Sequence, residues 1–442
     1  MPANQLPYNG FASQERFPQP QAGAGAQAGT RAPARFAPLI CFLIGLSVLV
    51  PIAPEARLTL YDLVAVGLVV AHPQVVRDLF GTFLALLVAS LAFMALSVFI
   101  NGSGMAALAG RGYPSVALFV ESVGYCIVIR NSPDKGRAAL VAGTMIGICC
   151  HYFYPNDLRV HDYPIKFLIG VPLGAGLLAL YALASGGKAP SVAFIAVLLV
   201  GYAVFCFAGG TRSVGGVYFA SAIVVLCMGF LRVPASYRRL APVFIIGAAI
   251  LGYGVTELYA FLAIKGLFGY RAAEIAIFQS SFGSILLGGR PEIIVNLLGI
   301  GDHPFIGVGI YNYSNEYLYD LISLSVYASD DVLSSGNILY HSALVATAFE
   351  TGIPSAIVWL YLVYIAIFAV PLLSLEKGIT RSFVAPLLLM TAWIILYSPP
   401  IPYNRFVLAI GVGLAFTMRF DWMQKQLGES GATPVLSQAV VS

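Results

Sequence analysis

The sequence predicts an all-α polytopic membrane protein, and three observations lead there. Of its 442 residues, 59% are hydrophobic and only 10% are charged, whereas a soluble domain carries about 25% charged residues to wet its surface. Mean hydropathy is +0.85. Apolar runs of roughly 17–25 residues, the length that crosses a hydrocarbon core, recur along the chain. Lipid offers no partner to bare backbone N–H and C=O groups, so such runs form helices. The alternating segments of roughly ten residues that mark a transmembrane β-barrel do not occur.

Residues 1–35 are rich in Gln, Pro, Ala and Gly and lack an apolar stripe, which predicts a disordered tail. No apolar h-region of a cleavable signal peptide lies near the start. The hydropathy pattern then predicts about twelve spans, at 36–53, 58–71, 80–100, 114–130, 138–153, 165–185, 191–208, 215–231, 241–264, 354–374, 383–399 and 404–419. The second is short for a crossing helix, so it either extends into its flanks or half-enters the bilayer. Residues 36–264 thus hold nine helices, 265–353 a large hydrophilic loop, 354–419 three more helices, and 420–442 a second tail. The segment Tyr397–Asn404 (YSPPIPYN) reads as a proline-rich turn between the last two spans.

Lys and Arg set the orientation. With the N-terminus in the cytoplasm, 15 of the 24 basic residues fall on inner segments, six in outer short loops and three (Lys265, Arg271, Arg290) in the long loop. Arg111, Arg212 and Arg405 belong to the outer short loops in this count. The inward excess obeys the positive-inside rule. The long loop is then external, periplasmic in a Gram-negative inner membrane, and both termini are cytoplasmic.

Net charge is only +4, which gives no footing for nucleic acid. The six cysteines lie in or beside apolar runs without a CxxC pair, the pattern of small packing residues and not of a disulfide or zinc framework. No set of carboxylates has metal-ligand spacing, so neither metal nor cofactor is expected. The two halves show no matching broken helices, the sequence mark of many transporters.

Three basic residues carry the candidate chemistry. Arg212 sits in CFAGGTRSVGG, where glycines bend the chain between two spans and a guanidinium fork suits a phosphate or diphosphate. An interfacial arginine snorkelling to water has the same sequence mark. Arg290 follows Gly288-Gly289 and precedes Pro291, the arrangement of a helix start. Ile293, Ile294, Leu297 and Leu298 recur at helical spacing before Gly299 and Gly301 close the helix. An arginine there lies at an anion-favouring N-terminus; a solvated loop arginine is the plainer reading. His341 precedes a helical stretch from Ser342 to Gly352 and can act as general acid or base, though a lone interfacial histidine is often structural. His303 lies in a turn, and His72, His151 and His161 lie near span ends as polar caps. The loop tyrosines Tyr270, Tyr311, Tyr313, Tyr317, Tyr319, Tyr327 and Tyr340 fit an interfacial belt or a sugar-stacking surface. Loop carboxylates Glu274, Glu292, Asp302, Glu316, Asp320, Asp330, Asp331 and Glu350 are candidate bases. Asp62, Glu121 and Glu257 are acids within spans, functional by default.

The segments GTRS, GGRPE…HPFIGVG and HS-x(7)-ETGIP, in this order, resemble the O-antigen ligase and O-antigen polymerase superfamily over roughly residues 206–359. The resemblance implies a type C glycosyltransferase-like fold and metal-independent transfer of a glycan from an undecaprenyl-diphosphate carrier. The acceptor would be lipid A–core or another lipid-linked glycan. Arg212 and Arg290 would then bind the diphosphate and stabilise its leaving charge, and His341 would orient or deprotonate the acceptor hydroxyl. A chain-length regulator is the further partner class the resemblance admits. The loop is poor in basic residues and rich in Tyr, Ser and Asp, which leaves ligase and polymerase both open. The rival readings are a transporter or flippase of lipid-linked saccharides, which calls for charges deep in the spans, and a non-enzymatic membrane scaffold.

Overall fold

In a computed structural model the protein is described at residues 37–53, 58–153, 168–185, 191–209, 211–230, 247, 250, 253–255, 257–280, 291–310, 315–324, 342–374, 380–398 and 404–429. The predicted tail at 1–35, residues 399–403 of the proline-rich turn and residues 430–442 lie outside these. All elements below belong to the compact unit Arg35–Ser442.

The chain begins with α1 (Pro38–Leu46), a 3-10 turn (Ser47–Leu49) and a two-stranded antiparallel ladder of β1 (Pro51–Ala53) and β2 (Leu58–Thr59). Helices α2 (Leu60–Ala71), α3 (Pro73–Asn101), α4 (Met105–Arg130), α5 (Asp134–Cys150), α6 (Gly170–Ala184), α7 (Val192–Ala208) and α8 (Arg212–Phe230) follow. The hydrophilic region contains α9 (Tyr270–Ser280), α10 (Pro291–Asp302), α11 (Asn315–Leu324) and α12 (Ala343–Thr351). Then come α13 (Ile353–Ala369), α14 (Thr380–Tyr397) and α15 (Asn404–Glu429).

Six described stretches are long and apolar enough to cross a membrane: Pro73–Asn101, Met105–Arg130, Arg212–Gly229, Ile353–Ser374, Thr380–Tyr397 and Asn404–Gln426. The protein is largely helical and membrane-embedded.

Several boundaries differ from the sequence reading, each for a local reason. The first span stops at Leu49, because Leu60 N–H donates to Val50 O at 2.8 Å and the chain turns into the β ladder. The second does not extend into its flanks: α2 has 12 residues, about 18 Å at the usual rise. At its far end His72 breaks the helix at φ −131°, ψ 57° and Pro73 starts α3. Helix α4 begins at Met105, well before the apolar run does, carrying Arg111 and Pro114 inside it. Helix α15 continues to Glu429, past the predicted span end at 419.

Backbones pack closely where side chains vanish, as membrane helices do when small residues face one another. Helices α1 and α5 cross at Gly45 and Gly143: a Cβ on Gly45 would strike Leu140 O, and one on Gly143 would strike Phe42 O. Helices α4 and α15 run side by side in the same sense. Gly413 lies against Ser122 and Tyr125, Thr417 meets Cys126 at 3.4 Å, and Arg130 covers the Phe420 ring at 4.0 Å. Phe80 of α3 stacks on Phe416 of α15 at 4.2 Å, and Phe83 meets Phe119 edge-on at 5.1 Å.

Gly143→Ala is expected to destabilise the protein by about 1–3 kcal/mol, the usual cost of overpacking. The readout is the thermal midpoint in detergent. Gly67→Ala, with nothing within 4 Å of its Cβ position, should leave the midpoint unchanged or raise it.

Candidate functional site

Helix α2 opens on a carboxylate that its own first turn requires. Thr59 donates to Asp62 Oδ2 through its backbone N (2.7 Å) and its hydroxyl (2.9 Å), which holds the acid where the helix N-terminus favours negative charge. Arg405, in the first turn of α15, reaches the same carboxylate: Nη2 donates to Oδ1 at 3.1 Å and to Oδ2 at 3.3 Å. Arg405 Nε lies 2.7 Å from Glu121 Oε1 of α4, and Nη1 donates to the Tyr113 hydroxyl at 3.2 Å. The rings of Tyr113 and Phe406 flank the guanidinium at 5.5 and 4.9 Å. Arg405, Asp62 and Glu121 are 8%, 6% and 0% exposed. The count of basic residues assigns Arg405 to an outer loop, although the predicted span 404–419 includes it; the structure puts it in the first turn of the helix, paired with two buried acids.

Two residues before Tyr113, the same helix carries Arg111. Its guanidinium pairs with Glu350 (Nε–Oε2 2.7 Å, Nη2–Oε1 2.8 Å) at the end of α12. Glu350 belongs to ETGIP, and the HPFIGVG segment folds onto that same elbow. Val308 N–H donates to Phe349 O (2.9 Å), Gly309 N–H to Glu350 O (3.0 Å) and Ile353 N–H to Pro304 O (2.8 Å). Ser97 of α3 donates to Ile306 O at 2.6 Å and to Glu350 O at 3.2 Å. Gly307 (φ 71°) and Gly352 (φ 88°) take left-handed backbone, a region that disfavours other residues. Neither has room for a Cβ, which would strike Glu350 backbone at Gly307 and Phe305 O at Gly352.

This junction fixes α10, α11 and α12 of the hydrophilic lid (residues 265–353). The end of α10 meets the end of α12, with Gly299 under the Phe349 ring. One turn earlier, Val295 and Ala346 join Tyr317 and Leu321 of α11 in a single buried cluster. Helices α10 and α12 therefore lie side by side in the same sense. Tyr317 packs edge-on to Phe349 at 5.5 Å and donates to Asp302 at 2.9 Å. The buried face of α10 is formed by Glu292, Ile293, Val295 and Asn296, while Leu297 and Leu298 are exposed. Helical spacing alone groups Leu297 and Leu298 with Ile293, and the packing separates them.

Of the three predicted site residues, one is described. The chain leaves α7 at Gly209, Thr211 folds back onto Cys206 O through N–H and hydroxyl (both 2.9 Å), and Arg212 opens α8. Its guanidinium covers the Tyr259 ring at 4.8 Å, and Tyr259 stacks on Phe268 at 5.1 Å and Phe207 at 5.9 Å. Arg290 and His341 lie outside the described residues, as do Tyr311, Tyr313, Tyr327, Tyr340, Asp330 and Asp331. The helices that follow Arg290 and His341 in the chain, α10 and α12, are described and begin where the sequence reading puts them. Ser342 caps α12 by accepting from Val345 N–H at 3.1 Å.

The other candidates sort by contact. Glu350 ties α12 to α4 through Arg111, and Asp302 ties α10 to α11 through Tyr317. Tyr270, Tyr319, His303 and Glu274 are exposed. His151 meets Val48 O at 2.9 Å and His72 meets Leu68 O at 3.1 Å, both as polar caps. Sequence reasoning misses Arg405 and Arg111 as partners. The available signal is the pair of span acids, since a buried carboxylate requires a cation or a proton. The chain matches no protein-family model, and a comparison with curated proteins also finds no match.

Arg405→Ala leaves the buried Asp62 carboxylate without its cation and is expected to cost about 3–5 kcal/mol, the usual loss when a buried pair is broken from one side. Thermal unfolding measures it, and Arg405→Lys should recover only part, because an ammonium lacks the planar fork that serves Asp62 and the Tyr113 hydroxyl together. Gly352→Ala should loosen the lid junction. Limited proteolysis should then cut within 265–352 faster than in the wild type, at unchanged helical content by circular dichroism.

Proposed function

We propose that the protein is a membrane glycosyltransferase of the O-antigen ligase or polymerase type, transferring a glycan from an undecaprenyl-diphosphate carrier to an acceptor sugar. On this reading about twelve spans sit in a bacterial inner membrane, both termini are cytoplasmic, and the lid of α9–α12 faces the periplasm, where a flipped carrier presents its head group.

The observation that carries the reading is the junction of HPFIGVG with ETGIP. The two motifs lie on opposite sides of α11 in the sequence, yet their backbones are hydrogen-bonded to each other at 2.8–3.0 Å. The junction sets α10 and α12 side by side, and those helices follow Arg290 and His341 in the chain. A diphosphate held by Arg290 at one helix start and an acceptor hydroxyl held by His341 at the other is the arrangement that transfer needs. Arg212, opening α8 against an aromatic stack, supplies a second guanidinium for the diphosphate.

In the reaction, the acceptor oxygen forms a bond to the sugar's anomeric carbon as the bond from that carbon to the carrier diphosphate breaks. The carrier leaves with the electron pair, and the hydroxyl proton passes to His341. The two arginines stabilise the negative charge that develops on the leaving diphosphate.

A flippase would need charges lining a path through the spans. Arg405, Asp62 and Glu121 instead face one another in a closed cluster, which favours the transferase.

Arg212→Ala, Arg290→Ala and His341→Ala should each abolish capped lipopolysaccharide or long-chain polymer on gels of surface glycan, with lipid-linked precursor accumulating and membrane insertion retained. A ligase variant would keep long carrier-linked polymer, and a polymerase variant would leave single repeat units. Normal glycan in all three variants refutes the enzyme reading.

A further inference from the structure

The cluster where the starts of α2 and α15 meet the middle of α4 has, among the described residues, one cation for two carboxyl groups, and the two acids are not treated alike. Asp62 receives four hydrogen bonds: two from Arg405 Nη2 and two from Thr59. That is the full compensation an ionised carboxylate requires. Glu121 is completely buried, and its one close cationic approach, Arg405 Nε at 2.7 Å, is not aligned as a hydrogen bond. Its Oε2 has no hydrogen-bond partner among the described residues. Arg405 and Asp62 neutralise each other, so an ionised Glu121 would add an unmatched charge in a low-dielectric interior. Such a charge costs several kcal/mol.

The described surroundings offer nothing else to match it. From α2 come Asp62 and Tyr61, from α15 Arg405, and α4 itself contributes Tyr113 and Tyr125. Tyr61 donates to the backbone O of Glu121 at 3.3 Å, and Tyr125 pairs with Thr144 of α5 at 3.2 Å. Neither hydroxyl serves the Glu121 carboxyl. When two carboxyl groups share one site, the stable arrangement carries a proton between them.

We propose that the Arg405–Asp62–Glu121 cluster is an intramembrane proton-binding site that holds one exchangeable proton on Glu121, with Asp62 ionised and paired to Arg405. Uptake converts the Glu121 carboxylate and a proton from water into the neutral acid, and release reverses this. The site stands whether or not the chain transfers glycans. Glu121 lies on the helix that grips the lid, about two turns from Tyr113.

Infrared difference spectroscopy of the full-length protein in liposomes tests it. The wild type at neutral pH should show the C=O stretch of a protonated carboxyl that shifts in D2O. It should shift again when Glu side chains carry ¹³C carboxyls, and not when Asp side chains do. Glu121→Gln should lack the band while keeping the wild-type thermal midpoint, since a neutral isostere replaces a neutral acid. Glu292→Gln and Glu350→Gln should retain it. If Glu121→Gln does not fold, the labelled wild type and the other two variants decide the matter. Absence of the band, a shift with Asp labelling, loss in Glu292→Gln or Glu350→Gln, or persistence in Glu121→Gln overturns the proposal.

Discussion

Arg405 is the constraint on which one end of the bundle depends. It draws α2, α4 and α15 together through Asp62, Glu121 and Tyr113, in surroundings shielded from bulk water. A guanidinium is suited to this because its donors point in fixed, coplanar directions and can serve several acceptors at once. Asp62 is held for Arg405 by Thr59, whose backbone N–H and hydroxyl both donate to the carboxylate. The capping of a short helix and the closure of a charge cluster are thus one arrangement.

The same helix passes the order outward. Arg111 and Tyr113 are near neighbours on α4, so one leans toward Glu350 of the lid elbow while the other faces Arg405. Ser97 on α3 adds a second grip through the carbonyls of Ile306 and Glu350. At the junction itself the attachment is backbone to backbone, which only glycine permits at Gly307 and Gly352. A lid attached in this way keeps the starts of α10 and α12 in a defined relation, which side-chain contacts alone would hold less firmly.

Much of this was legible in the sequence. Apolar run length identified the helices, GGRP and HS identified the starts of α10 and α12, and the glycines around Thr211 marked the turn before Arg212. Hydropathy was a poor guide to the start of α4: Arg111 lies inside that helix because it has a buried acid to pair with, whereas the start of α15 falls where the apolar run begins. Leu297 and Leu298 misled in the opposite way. Helical spacing cannot say which apolar residue meets a neighbour, and here Gly299, by being small, puts Phe349 against the other face.

Composition and run length were enough to show a helical, membrane-embedded chain, because lipid rejects bare backbone and unpaired charge. The sequence also determined where the polar segment lies and which short motifs border it. The closure of HPFIGVG onto ETGIP, the pairing of Arg111 with Glu350 and the meeting of Arg405 with Asp62 and Glu121 emerge only in the folded chain. The reason is physical: burial of a charge is acceptable only against a partner. Here that partner comes from a helix hundreds of residues away, at a separation no local pattern encodes.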